Sequence, residues 1–517
     1  MRESRMRDLL TAAVLFVLVI LLGLGLLDRG HEWGDDFAAY MLEARAIANG
    51  TMEEQSRINR IIHASEISFG GEEIPEKITY VWGYPLALSG IYRSIGFDTA
   101  ENGIPIAYKV PGLVMHGILA VVLYLFYRRR FSYVTTIFLT ALLTFDSMIL
   151  DYANELSTDV PCMMLSMAGL LLTELFLDEN HRKRQVLTGI LMGAVLWYNY
   201  EVRLNGVAVI YVVLVAHAIS ILSRRPAREE WGVHAVPYAV LLTLLGVSAM
   251  VLPQATENTS HIASGPNSYI LFNIRWYDGQ IAGWLKNMLP AFLPGREYAR
   301  FVLYALIVCG ILHAGTVNCL HLSMLMLGTF AVVCLLPYVQ SIRYLFNALP
   351  LMLMFAMYGV QGIWQRIGKG CSSLAARIVR LGGYAVMLTM ICSVLLQTVH
   401  LIEAHKQRGG MEYRYEAYSD EALDIYAYIR ENTADDAMIG CVKPRALTLN
   451  TDRIGFVPGV NGNRYKDMHY LLSFTDPAVF DSVTQSVWPE LWNELTEVYR
   501  NDRFVLYEMS EQYRLSE

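Results

Sequence analysis

The sequence predicts an all-α polytopic membrane domain followed by a small α/β domain at its C-terminal end. Three observations carry that prediction. Of the 517 residues, 54% are hydrophobic and only 17% are charged, against roughly 25% charged in soluble globular proteins. The apolar residues fall in blocks of about 20, the length of helix that crosses about 30 Å of hydrocarbon. Arginine and lysine collect in alternate loops between those blocks. Past residue 403 the blocks stop, and helix-like segments at 419–432 and 488–500 and short strand-like runs at 437–442 and 503–508 take over.

The apolar blocks predict about eleven spans, near 9–27, 109–127, 132–150, 160–177, 186–200, 204–222, 233–253, 299–316, 318–338, 345–363 and 382–402. The first reads as an uncleaved span, because it is too long for a signal-peptide core. Basic residues fix the orientation. Arg2, Arg5 and Arg7; Arg128, Arg129 and Arg130; Arg182, Lys183 and Arg184; Arg224, Arg225 and Arg228; and Arg366, Lys369, Arg377 and Arg380 all fall on one side. That side is the cytoplasm, so the N-terminus is inside and residues 403–517 are extracytoplasmic. A plasma (inner) membrane is expected. Basic charge is dispersed over loops and forms no nucleic-acid patch. The seven cysteines contain no CxxC pair, so neither a disulfide framework nor a zinc site is indicated.

Two outer loops are long, 28–108 and 254–298. Within the first, residues 34–50 read GDDFAAYMLEARAIANG. Phe37, Tyr40, Met41, Ala44, Ile47 and Ala48 share a helical face, and Asn49-Gly50 is a stop signal. The segment reads as an amphipathic helix lying in the membrane interface, with Asp35 or Asp36 at its N-terminus. An aspartate there is a good cap, and two in succession leave one spare to act as a base or to hold a cation. A second short helix is expected in 80–96, YVWGYPLALSGIYRSIG, with Pro85 in its first turn and Gly96 at its stop. Its Trp82, Tyr84 and Tyr92 suit an interfacial aromatic belt. Loop 254–298 reads as an interfacial segment or a cover over a substrate site.

Other polar groups gather at the outer ends of spans. Asp151, Glu155 and Asp159 recur every four residues and would share one helix face. Glu201 and Arg203 could pair with each other or with headgroups. Arg203 and Arg343 both break the positive-inside pattern. An arginine at the outer mouth of a bundle can hold a phosphate through its guanidinium fork. Asp146 and Glu174 lie in or near spans, where a carboxylate is expensive unless paired.

The first span, the acidic pair, a Tyr four residues later, the GYP segment and the RYL-x-x-x-LP arrangement at Arg343 together resemble the GT-C superfamily. Within it the pattern is similar to the polyprenyl-phosphate-sugar-dependent glycosyltransferases of the family 39 type, the protein O-mannosyltransferases and lipid A aminoarabinose transferases. The resemblance implies a fold of eleven or more spans with an extracytoplasmic C-terminal domain. It implies that Asp36, with Tyr40 at the matching distance, is the catalytic carboxylate. Phe37 stands where the family often has Glu, so Asp35 would replace the second acid. Asp159 would supply a further acid, Arg343 and Arg203 would hold the donor phosphate, and Tyr40, Glu155 and Tyr84 would line the substrate site.

On that resemblance the expected activity moves a sugar, with inversion, from a polyprenyl phosphate to a hydroxyl of a protein, lipid or glycan. A divalent cation is left open. Two other classes stay in view. A flippase for a lipid-linked substrate would want ionisable groups at the bilayer midplane, whereas here they sit at the outer ends. A non-catalytic membrane protein with a binding C-terminal domain is the third.

Overall fold

The computed structural model describes residues 2–65, 81–97, 102–224, 231–253, 268–315, 319–336, 341–368, 373–457, 468–475 and 491–511. Arg225, Arg228, Lys369 and the start of the second long loop lie outside them.

The helices run in chain order α1 (Arg2–Leu24), α2 (Asp36–Asn49), α3 (Met52–Ser65), α4 (Gly83–Ile95), α5 (Val110–Arg128), α6 (Tyr133–Thr144), α7 (Ser147–Asn154), α8 (Asp159–Asp178), α9 (Arg182–Val202) and α10 (Val207–Arg224). They continue with α11 (Trp231–Val251), α12 (Ser268–Met288), α13 (Ala299–Ala314), α14 (Leu320–Leu335), α15 (Leu349–Gly368), α16 (Ser373–Gln407), α17 (Asp420–Asn432) and α18 (Pro444–Thr451). Every expected span contains a helix. Among the described residues, seven helices are long and apolar enough to cross a bilayer, eight if α6 and α7 count as one span bent by 52°. The protein is an integral membrane protein. The bend is built in: Asp146 accepts the backbone N–H groups of Met148 and Ile149 and so caps α7. That answers why an acid lies within the third span.

Helices α13 and α15 approach backbone to backbone. A Cβ on Gly310 would lie 1.8 Å from the Phe355 carbonyl oxygen, and one on Gly359 would lie 2.1 Å from that of Leu306. Small residues permit this contact, which dispersion then stabilises. At the end of the bundle away from the C-terminal domain, Glu174 pairs with Arg129 and Arg130, and Asp8 pairs with Arg128. Glu174 is therefore charge-matched.

Two expectations about the first long loop change. α2 does not lie half-exposed in the interface: Phe37 to Ala44 and Ala46 are all buried. Its apolar residues pack with Tyr84 and Leu88 of α4 and with the C-terminal region in one cluster. Trp82 and Tyr84 are likewise fully buried and do not form an aromatic belt. Glycine explains the fit of α4, because a Cβ on Gly83 would meet the Glu201 backbone at 2.4 Å. In the second long loop, α12 buries Tyr277, Ile281, Trp284 and Met288 in the main core and leaves Leu271, Phe272 and Trp276 exposed.

In the C-terminal region, α17 and two strands fall where the pattern predicts them. The five strands are β1 (Met438–Gly440), β2 (Ile454–Phe456), β3 (Tyr470–Phe474), β4 (Leu495–Arg500) and β5 (Phe504–Met509). They form one sheet in the order β2-β1-β3-β5-β4. The pairs β1–β2 and β1–β3 are parallel, and β3–β5 and β4–β5 antiparallel. The helix expected over 488–500 is instead β4, preceded by a turn of 3-10 helix at Leu491–Glu494. Pairing with β5 overrides the helix-like spacing there. One apolar core joins this region to the first loop, with Trp33, Phe37, Tyr40, Met41, Tyr84 and Tyr108 packed with Tyr418, Tyr426, Leu447 and Phe504.

Candidate active site

A cleft opens where α2, the start of α8, the α9–α10 junction and the segment before α15 meet, on the side of the bundle that carries the C-terminal domain. Asp36 is the first residue of α2. Its Oδ2 lies 3.5 Å from Arg343 Nη2. Arg343 sits in a short 3-10 turn, Ile342–Leu345, and its Nη1 lies 3.7 Å from Asp159 Oδ2. Arg203 occupies the extended residue between α9 and α10 and pairs directly with Asp159 Oδ1. Asp159 is only 4% exposed, and two guanidinium groups meet its charge. Tyr344 lies beneath both arginines, with the Arg203 and Arg343 guanidinium carbons 4.9 and 5.6 Å from its ring centroid. Cys162, Asn205, Phe346 and Asn347 complete the wall.

The electrostatics follow from this packing. Burial alone would lower both guanidinium pKa values, but Asp159 outweighs it and both are held above their ordinary range. Both arginines are thus fixed cations on a partly desolvated surface, where a charge acts more strongly than in water. Tyr40 points at the same corner. Its hydroxyl is 3.4 Å from Thr158 Oγ1, which Arg203 Nη1 also approaches at 3.4 Å. Burial, reinforced by Asp36, raises its pKa, so it is a neutral phenol. Tyr84 stacks edge-on against Tyr40 with centroids 5.4 Å apart, and its buried hydroxyl has no hydrogen-bond partner among the described residues.

Of the residues singled out in the sequence, Asp36, Asp159, Arg203, Arg343, Tyr40 and Tyr84 come together. Asp35 and Glu155 go elsewhere. Asp35 does not cap its own helix. Its carboxylate accepts the backbone N–H groups of Arg445 and Ala446 and lies 3.3 Å from Arg445 Nη1. Glu155 lies 2.7 Å from His31 Nε2 and accepts the Tyr415 hydroxyl at 2.8 Å. Burial would raise its pKa, but His31, Lys109 and Tyr415 outweigh that and hold it at about 2. Beside it, Asp28 pairs with Lys109 at 2.7 Å and with His405 at 3.1 Å. Glu155 thus belongs to a buried polar network between loop and C-terminal domain.

The shared helix face expected for Asp151, Glu155 and Asp159 is broken, because α7 ends at Asn154 and α8 starts at Asp159. The extended backbone of Glu155 turns the last two acids to different partners. Glu201 does not pair with Arg203; it accepts the Ser248 hydroxyl at 2.5 Å. Thr158 and Tyr344 are the cleft residues that sequence reasoning passed over. Tyr344 was signalled only by following Arg343. Nearby, burial and the carboxylates of Glu155 and Glu416 raise the Glu32 pKa, and His31 and Arg343 oppose that rise.

Among the described residues no three His, Cys, Asp or Glu side chains gather as a metal-holding group. The acids of the cleft face arginines.

Residues 105–251 match the profile of a family described as dolichyl-phosphate-mannose-protein mannosyltransferase. No curated protein sequence matches the chain. In three dimensions the chain is similar to ArnT from Cupriavidus metallidurans bound to undecaprenyl phosphate. That likeness has a TM-score of 0.57 at 12% identity and covers 96% of this chain and 97% of that one. It is also similar to the archaeal oligosaccharyltransferase AglB from Archaeoglobus fulgidus, in complex with an inhibitory peptide and a dolichol-phosphate. There the TM-score is 0.55 at 10% identity, over 90% of this chain and 70% of that one. At such identities the likeness is one of fold. The middle spans thus match a mannosyltransferase family profile, and the chain as a whole shares the fold of ArnT and AglB.

Proposed function

We propose that this protein transfers a sugar from a polyprenyl-phosphate carrier to a hydroxyl acceptor on the extracytoplasmic face of a plasma membrane. The observation that carries the reading is one contact set: a carboxylate, Asp36, facing an arginine that shares Asp159 with a second arginine, at the rim of the spans. The lipid phosphates bound to the solved ArnT and AglB structures support the class of donor.

In this reading Arg343 and Arg203 bind the donor phosphate. Asp159 orients them and takes no proton. Tyr344 fixes their planes from below. Asp36 accepts the proton of the acceptor hydroxyl as its oxygen attacks the anomeric carbon. The bond from that carbon to the phosphate oxygen breaks, and its electron pair leaves with the lipid phosphate. The two guanidinium groups stabilise the charge that develops there. Attack opposite the leaving group inverts the anomeric centre. Tyr40 and Tyr84 line the acceptor side of Asp36.

The test is turnover of radiolabelled polyprenyl-phosphate sugars by purified protein in liposomes, with a crude acceptor mixture, for wild type and Asp36→Asn. A fall of about 100-fold to 10,000-fold is expected in the variant, the range for loss of a general base. Equal turnover in both proteins refutes the role given to Asp36. Failure of wild type on every donor refutes the transferase reading.

A further inference from the structure

Asp35 and Asp36 are adjacent, yet they face opposite ways. Asp36 faces the arginines of the spans, and Asp35 faces the C-terminal domain. The Asp35 carboxylate takes three hydrogen bonds from one short stretch. Its Oδ1 accepts Ala446 N–H at 3.0 Å, and its Oδ2 accepts Arg445 N–H at 3.2 Å and Arg445 Nη1 at 3.3 Å. Those backbone groups are the first turn of α18, which opens on Pro444 and whose N-cap residue, Lys443, supplies no side-chain capping bond. Asp35 therefore caps a helix of the other region, with its charge on the positive end of that helix dipole.

A second clamp lies at the far ends of the same two helices. Arg45, near the end of α2, pairs with Asp452 at 2.7 Å. Asp452 is the left-handed residue that closes α18, at φ +57°. Thus α2 and α18 lie side by side, tied start to start and end to end. Between the clamps sits Glu43, a wholly buried acid of α2. Its Oε1 accepts Asn59 Nδ2 at 2.9 Å, and Arg445 is the cation that relieves its burial. Every residue of α18 is buried, so it is a wedge and not a surface element. The entry to α2 is tied to the same domain, since Trp33 N–H donates to Glu416 Oε2 at 2.6 Å and Ala417 N–H to the His31 carbonyl at 3.2 Å.

We infer that Asp35 and Arg445 form a latch by which the C-terminal domain sets the angle of α2 and so the position of the Asp36 carboxylate. The inference rests on the role given to Asp36 above and adds two positioning residues from opposite ends of the chain. Neither touches the donor phosphate. The effect travels one residue along a helix: rotation of its first turn swings Asp36 away from Arg343. Displacement of a reacting group by about 1 Å can cost 100-fold in rate.

The experiment uses the full-length protein in liposomes and compares wild type, Asp35→Ala, Asp35→Asn, Arg445→Met and Arg445→Lys. Donor turnover is read as kcat and KM, and hydrogen exchange of 36–49 and 444–451 is measured on the same samples. Asp35→Ala and Arg445→Met are expected to lower kcat about 10-fold to 100-fold, with donor KM within about twofold. Exchange should rise in both segments while the spans stay protected. Asp35→Asn keeps an acceptor for only one of the two N–H groups and turns an NH2 donor toward the other, so it should regain little of kcat, whereas Arg445→Lys, which keeps the backbone N–H and a cation, should regain part. Unchanged kcat in Asp35→Ala overturns the latch, and so does a loss carried wholly by KM. If wild type turns over no donor, the transferase reading fails by itself. Exchange then decides the latch: protection of 36–49 unaltered in Asp35→Ala overturns it, and selective loss there upholds it.

Discussion

Replacing Arg343 with methionine removes the charge that bridges Asp36 and Asp159 and keeps most of the side-chain length. Its two contacts, 3.5 Å to Asp36 and 3.7 Å to Asp159, set the scale. Two unit charges at that separation interact by roughly 4–5 kcal/mol at an effective dielectric near 20. A phosphate held in the same position would feel a similar attraction. The Arg343 side chain is 27% exposed, so water at the rim reduces the figure. Arg203 remains to meet part of the phosphate charge. About 3 kcal/mol of transition-state stabilisation is then at stake, or roughly 100-fold to 1,000-fold in kcat/KM, which matches the loss of one oxyanion-type donor. Arg343→Lys should recover only part, because an ammonium supplies charge without the planar fork. The assay is release of lipid phosphate in liposomes under kcat/KM conditions, with thermal unfolding to show that the fold is intact. A folded Arg343→Met protein within threefold of wild type would mean that the donor phosphate binds elsewhere.

Two predictions concern stability. Glu155 is held at about 2 when folded against an ordinary value of 4.5. A depressed carboxylate stabilises the fold above its unfolded pKa, and that contribution is lost as pH falls through the folded one. Thermal unfolding between pH 6 and pH 2 should therefore show a steep fall below about pH 4.5, and Glu155→Gln should flatten that limb. Breaking this buried set should cost about 3–5 kcal/mol at neutral pH, and a variant with unchanged melting at both pH values would remove the network from the account. Gly310→Ala should lower the melting temperature without altering donor KM, because its Cβ meets the Phe355 carbonyl, which cannot rotate away as a side chain can. A cost of about 1–3 kcal/mol is expected for such overpacking, and a neutral result would show that α13 and α15 can separate freely.

Particular residues show how much of the site was readable. Asp36 and Arg343 stood out because each broke a rule of the sequence: a doubled acid at a helix start, and an arginine on the wrong side of a span. Asp159 stood out as an acid opening an apolar helix. Their convergence was not readable, because 123 residues separate Asp36 from Asp159 and a further 184 separate Asp159 from Arg343. Asp35 looked like a second catalytic acid because its true partner, Arg445, lies at the other end of the chain. The spacing of Asp151, Glu155 and Asp159 suggested one helix, and the turn at Glu155 divided it. The spacing of 488–500 suggested a helix, and an edge of sheet made it a strand.

The sequence alone determined which segments enter the bilayer and which way polar residues cluster along them. Transfer of about 20 apolar residues into hydrocarbon is a local property, summed residue by residue. Only the tertiary structure decided which acid meets which base. Ion pairing depends on distances of 3–4 Å between groups far apart in the chain, and a shift of one residue or one helix turn re-assigns every partner. For that reason the apolar helices were legible from composition, whereas the separate contacts of Asp35 and Asp36, one residue apart, needed the fold.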